Sequence, residues 1–158
     1  MESKKIAIVR IRGIIDINSG VENAFKRLRL FRKNGCVVID GNRSYKGVLQ
    51  KIKDYATWGE IDEETFKTLL LQRGRLPGNK PMTENYLKEK IKVDADTFVK
   101  EFFEFKKSLK DIPGLKRFFR LGMPRNGFER KGIKVPFSLG GALGYRKDNI
   151  NDLIKRMV

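Results

Sequence analysis

The sequence predicts an α+β fold in which a small β-sheet carries helices on one face. Three observations point there. Over the first sixty residues, short β-branched runs alternate with segments whose apolar residues recur at three and four. The connections between these segments are short, which favours a compact sandwich of sheet and helices. Beyond residue 74 chain breakers cluster, so a differently built second half follows.

Each element has its own signal. Ile6-Ala-Ile-Val-Arg-Ile11 is a β-branched run and reads as a strand. Ser19 and Glu22 have capping-box spacing, and Val21, Ala24, Phe25, Leu28 and Phe31 form the stripe of an amphipathic helix. Asn34-Gly35 is the expected stop, because this pair tolerates left-handed backbone. Cys36-Val-Val-Ile39 is a short buried strand. Ser44 can cap a second helix with Tyr45, Val48, Leu49 and Ile52 inward, and Ala56–Ile61, containing Trp58, is a third strand. A right-handed crossover would make the first two strands parallel if they were neighbours, and the sequence leaves open which strands are.

Asp62-Glu-Glu-Thr65 opens a third helix with Phe66, Leu69 and Leu70 inward, and Gly74 closes it. The breaker-rich loop 74–82 is the best boundary, dividing a β-α-β-α-β core with its third helix (1–74) from a C-terminal extension (75–158) packed on it. In the extension, Thr83 starts a short helix through Lys90. A longer helix follows with Phe98, Phe102, Phe105 and Leu109 in one stripe and Val99 and Phe103 beside it. Between Ile112 and Gly144 prolines, glycines, bases and aromatics mix without a period. Asp148–Met157 forms the last helix.

Charge is the strongest functional signal. There are 35 Lys and Arg against 19 Asp and Glu, a net +16, which points to a polyanion and first to nucleic acid. Residues 26–53 carry nine bases against Asp40, and residues 106–134 carry ten against Asp111 and Glu129. The rest of the chain is balanced, 16 bases to 16 acids, so solubility alone does not explain the excess. Histidine is absent, which excludes Ser-His-Asp and Cys-His catalysis and imidazole zinc sites. The lone Cys36 excludes an internal disulfide and thiolate clusters, and points to a reducing, intracellular setting. No 18 apolar residues run together and Arg10 and Arg12 cut the first apolar run, so neither membrane nor export segment is expected.

Other constellations have plainer explanations. Gly41-Asn-Arg-Ser-Tyr-Lys-Gly47 matches neither the Walker nor the dinucleotide spacing and reads as a turn with Arg43 and Lys46 free for phosphate. Glu60, Asp62, Glu63 and Glu64 suit a helix N-terminus better than magnesium. Cys36, Trp58 and the phenylalanine stripe read as core. The irregular segment, with Phe118, Phe119 and Phe128 among its bases, reads as an RNA-contacting loop rather than a mobile linker.

Several stretches resemble large-subunit ribosomal protein thirty, the universal family whose eukaryotic member is called protein seven. They are Arg27-Leu-Arg-Leu30, Asn34-Gly35, Tyr45-Lys-Gly-Val48, Asp54-Tyr-Ala-Thr-Trp-Gly59 and Gln72-Arg-Gly74. In the tail, Pro124-Arg-Asn-Gly127, Gly140-Gly-Ala-Leu-Gly144 and Asn149-Ile-Asn-Asp-Leu-Ile-Lys-Arg-Met157 are similar to the archaeal and eukaryotic long form. Asn126 stands where the family pattern carries a second glycine, and there is no long basic N-terminal extension, which suggests an archaeal member. The resemblance implies a ferredoxin-like three-stranded antiparallel sheet with the first strand central and two helices on one face. It implies binding to large-subunit ribosomal RNA near the five-S RNA, among neighbouring ribosomal proteins in the cytoplasm, with no catalytic residues, cofactor, membrane or small-molecule substrate.

The expected function is therefore that of a structural, RNA-binding constituent of the large ribosomal subunit. Phosphate contacts are expected from Arg10, Arg12, Arg27, Arg43, Lys46 and Lys51 in the core. The extension would add Arg117, Arg120, Arg125, Arg130, Lys131, Lys134 and Arg146. The alternatives are a magnesium-dependent RNA-processing nuclease using Asp62, Glu63 and Glu64, and a DNA-binding module, for which no recognition helix is visible.

Overall fold

The computed structural model describes residues 4–158. Its elements are β1 (Lys5–Arg10), α1 (Ser19–Arg27), β2 (Gly35–Asp40), α2 (Arg43–Ile52), β3 (Ala56–Glu60), α3 (Glu63–Arg73), α4 (Glu84–Ile91), α5 (Ala95–Phe103), β4 (Phe119–Arg120), β5 (Gly144–Tyr145) and α6 (Ile150–Met157). The strand order is β4-β2-β1-β3-β5. β1 is central and antiparallel to both neighbours, with Ile8 opposite Val37 on one side and Trp58 on the other. The α+β class holds, and two short strands from the extension widen the three-stranded sheet to five. β4 pairs antiparallel with β2, and β5 pairs parallel with β3.

β1 and β2 are neighbours yet antiparallel. The long loops around α1 return the chain to the end of β1, where the Asn34 N–H donates to the Arg10 carbonyl at 2.7 Å. A crossover rule for parallel strands has nothing to act on here.

Both faces of the sheet are buried. Ile8, Val37, Ala56 and Trp58 point to one face, under Ala24 and Phe25 of α1, Leu28 just beyond its end, and Leu49 and Ile52 of α2. The alternate residues Ala7, Val9, Cys36 and Val38 point to the other, under side chains from α3, α4, α5 and α6. There Phe66 and Phe102 stack at 4.3 Å between centroids, joining α3 to α5. Cys36 is sealed in this cluster, and burial pushes its thiol up to about 12, so it serves as a small apolar side chain.

Helix ends differ from expectation by a turn or less, except at α1 and α5. The α1 cap is Asn18, whose side chain accepts from the Gly20 N–H, while Glu22 pairs with Lys26. Asn42, not Ser44, precedes α2. At its far end α1 stops at Arg27, well before Asn34. The Leu30 N–H donates to the Phe25 carbonyl and the Arg29 N–H to that of Lys26, a Schellman closure with Arg29 left-handed at φ 60°. Leu30 is buried by this turn, and Phe31 is turned out to solvent at 56% exposure. α5 likewise ends at Phe103; Phe105 turns left-handed and is exposed, while Leu109 reaches the core from a loop.

Two buried arginines hold the irregular parts. Arg10 donates to the carbonyls of Leu30, Arg12 and Gly13 and lies 4.1 Å from the Phe25 ring centroid. Arg146 donates to Thr57 Oγ1, the Ala142 carbonyl and both oxygens of Glu129, and lies over Phe137. Burial alone would raise the Glu129 carboxyl, but the Arg146 hydrogen bond and the charges of Arg146 and Arg156 hold it below its ordinary value. Gly141 packs so tightly that a Cβ would lie 2.0 Å from the Val135 carbonyl. The segment after Ile112 is thus tied to the sheet edge.

Two stability experiments follow from this geometry. A left-handed turn at a residue with a side chain costs roughly 1 kcal/mol, which glycine avoids. Arg29→Gly should therefore raise the melting temperature by about 2–4 °C, read by circular dichroism. Arg146→Met leaves Glu129 only the longer contact to Arg156, at 3.7 Å, and should lose about 3 kcal/mol, the lower end for a broken buried pair because Glu129 is partly exposed and keeps that contact. Limited trypsin digestion of this variant should open new cuts at Arg130, Lys131 and Lys134. Because the Glu129 pKa is depressed, the contribution of the pair is complete at neutral pH and lost as acid protonates the carboxylate.

Candidate nucleic-acid interface

The β2–β4 pairing brings the two basic segments of the chain together. Gly35 lies opposite Arg120 and Cys36 opposite Phe119, and the Leu121 N–H donates to the Asn34 carbonyl at 2.9 Å. Each strand ends in a cation-rich stretch, so this sheet edge gathers charge from positions some ninety residues apart. Arg27, Arg29, Lys110 and Arg117 line an open groove of about 300 Å³ together with Tyr45 of α2. Arg29, Arg32, Lys33 and Arg120 line a smaller cleft beside it, of about 160 Å³.

Of the expected contacts, Arg27, Arg117 and Arg120 meet at this edge. Arg43, Lys46 and Lys51 are exposed on α2, in the same helical layer as Arg27. Lys134 lies at the opposite edge, in a cleft with Lys53, Trp58 and Tyr145 beside β5. Arg125, Arg130 and Lys131 are exposed outside these clefts. Arg12 is half-buried, donating to the Asp54 carbonyl across the Tyr55 ring.

Arg10 and Arg146 leave the set of phosphate contacts. They are 1% and 2% exposed, and their N–H groups go to carbonyls, Thr57 and Glu129, so they tie the protein to itself. In the glycine-rich tail, Gly141 lets the backbone approach Val135 of its own chain. At the Pro124–Gly127 turn, Asn126 sits at φ 63°, where asparagine is the commonest substitute for glycine, and the Gly127 N–H closes onto the Pro124 carbonyl. Sequence reasoning missed Arg29, Arg32, Lys33 and Lys110. Their signal was the clustered charge around a strand start, which names the segment but not its members.

Ion pairs gather on the α3–α6 side, although among the described residues Lys90 and Lys100 there form none. On the α3–α6 side, Lys67 pairs with Asp96, Lys88 with Asp94, Lys107 with Glu101 and Lys155 with Glu64. Among the described residues, none of Arg27, Arg29, Arg32, Lys33, Lys110, Arg117 or Arg120 forms an ion pair. The charge of these edge cations is therefore not neutralised by an ion pair within the chain.

Comparison with known proteins is consistent with this geometry. A family model described as "Ribosomal protein L30p/L7e" matches residues 6–56. The chain is 49% identical over 149 residues to "Large ribosomal subunit protein uL30" of Methanopyrus kandleri, covering 94% of this chain and all of the relative. The protein of the same name from Methanococcus maripaludis is 45% identical, and that from Nanoarchaeum equitans 46%. Each match covers 96% of this chain and 98% or 97% of the relative. With the charged edge, the central strand and these full-length archaeal matches together, the chain belongs to the uL30 family of large ribosomal subunit proteins.

Proposed function

We propose that this structural constituent of the large ribosomal subunit binds the RNA of that subunit through the β2–β4 edge and the outer faces of α1 and α2. Family membership makes it a component of the cytoplasmic ribosome and not an enzyme. The observation that carries the RNA reading is the crowding of cations without acidic partners at one edge, while Lys67, Lys88, Lys107 and Lys155 of the opposite helical layer are each paired with an acid. Neutralising several phosphates at once releases their counterions, which supplies affinity without base recognition. Shape complementarity to folded RNA would supply the specificity. The five-S RNA and adjacent ribosomal proteins belong to this reading on the family resemblance.

No observation favours a nuclease. The Asp62 N–H at the start of α3 donates to Asn151 Oδ1, and Glu64 pairs with Lys155. Among the described residues no group of three or more His, Cys, Asp or Glu gathers that could hold a metal ion.

The test compares two sets of substitutions in a salt titration against large-subunit ribosomal RNA. Changing Arg27, Arg29, Lys33 and Arg120 together to Gln should weaken binding and shrink the salt slope by up to about 0.9 for each duplex phosphate no longer neutralised. Changing Lys67, Lys88 and Lys155 to Gln should leave the slope unchanged. Equal effects from the two sets would refute the edge as the RNA surface.

A further inference from the structure

The smaller cleft at the β2–β4 edge differs from the surrounding surface. It is more enclosed than the neighbouring groove, and Arg29, Arg32, Lys33 and Arg120 line it together with Phe31 and Phe118. Leu30 and Leu121, both buried, add apolar lining. No acid lines it. Phe31 is the unusual member: the Schellman turn at Arg29 takes it out of the helix stripe and leaves it 56% exposed among cations. A large exposed ring is held there by a backbone turn that itself carries strain, since Arg29 sits where glycine is favoured.

We propose that this cleft holds one unpaired nucleotide of the bound RNA, its base stacked on Phe31 and Phe118 and its phosphates met by the surrounding cations. The inference rests on the RNA reading above and adds the kind of RNA feature recognised. Three observations select this occupant. The volume of about 160 Å³ lies below the roughly 300–1,000 Å³ of pockets for drug-sized ligands, so one ring system fits and a duplex does not. The aromatic and arginine lining matches the stacking by which proteins hold splayed-out bases. The uniformly positive rim complements a phosphodiester on both sides of the base. An apolar side chain from a neighbouring protein would use the rings but leave four cations unmatched.

The experiment uses the full chain and two RNA hairpins of equal length, one fully paired and one with a single bulged 2-aminopurine. The bulged hairpin should bind more tightly, and its fluorescence should fall on binding as the base stacks. Phe31→Ala removes an exposed ring, so the melting temperature should hold. Affinity for the bulged hairpin should then fall by about tenfold or more, the quench should disappear, and the paired hairpin should be unaffected. Phe31→Tyr should restore both signals. Equal, salt-sensitive binding of both hairpins, insensitive to Phe31→Ala, would overturn the nucleotide cleft and leave the charged edge standing. Failure of both hairpins to bind at low salt would overturn the cleft and the RNA reading together.

Discussion

The central strand has apolar side chains on both faces, and this requirement shapes the molecule. Ile8 enters one cluster while Ala7 and Val9 enter the other, so a single helical layer leaves half of β1 facing water. The helices α1 and α2 satisfy one face with residues from the first half of the chain. Burying the second requires α3, α5 and α6, and hence the return of the second half onto the sheet. That return delivers Phe119–Arg120 to one sheet edge and Gly144–Tyr145 to the other. The assembly of the cationic edge follows from apolar burial: two segments that would repel in an extended chain are held side by side by the core beneath them.

Arginine plays two opposite parts in this arrangement. Arg10 and Arg146 are enclosed, with carbonyls, a hydroxyl and a carboxylate receiving their N–H groups, and they fix the loops that flank the sheet. Arg27, Arg29, Arg32 and Arg120 remain in solvent without acidic partners. The first kind makes the frame rigid, and the second gives it a surface potential. On the far side Lys67 of α3, Lys88 of α4 and Lys155 of α6 are paired with acids, which concentrates the unmatched charge toward the β2–β4 edge.

The core of the fold was legible because its signals are local. The continuous apolar runs of residues 6–9 and 36–39 and the helical stripes in α2 and α3 each report burial directly. What the sequence does not display is non-local or rests on one dihedral angle. Strands as short as β4 and β5 carry no period, so the five-stranded sheet was hidden. The end of α1 was misplaced because Phe31 continues the spacing of Leu28, while the left-handed turn at Arg29 has none of the glycine that marks such turns. For the candidate site, charge clustering named the two segments that the fold brings together, and Arg27, Arg117 and Arg120 among the side chains that line their edge. Arg10 could have been separated by its place between Val9 and Ile11 in a buried run. Arg146 could not, since its partners Thr57 and Glu129 are remote in sequence.

The central claim is that one edge and one helical layer face RNA while the α3–α6 layer does not. Ultraviolet cross-linking of the protein within its own large ribosomal subunits, followed by mass-spectrometric mapping of the RNA-linked peptides, tests it most directly. Cross-links should fall in residues 27–33, in α2 and in 110–120, and none should fall in α4 or α5. Cross-links concentrated on α4 and α5, with the 27–33 and 110–120 peptides unmodified, would contradict it.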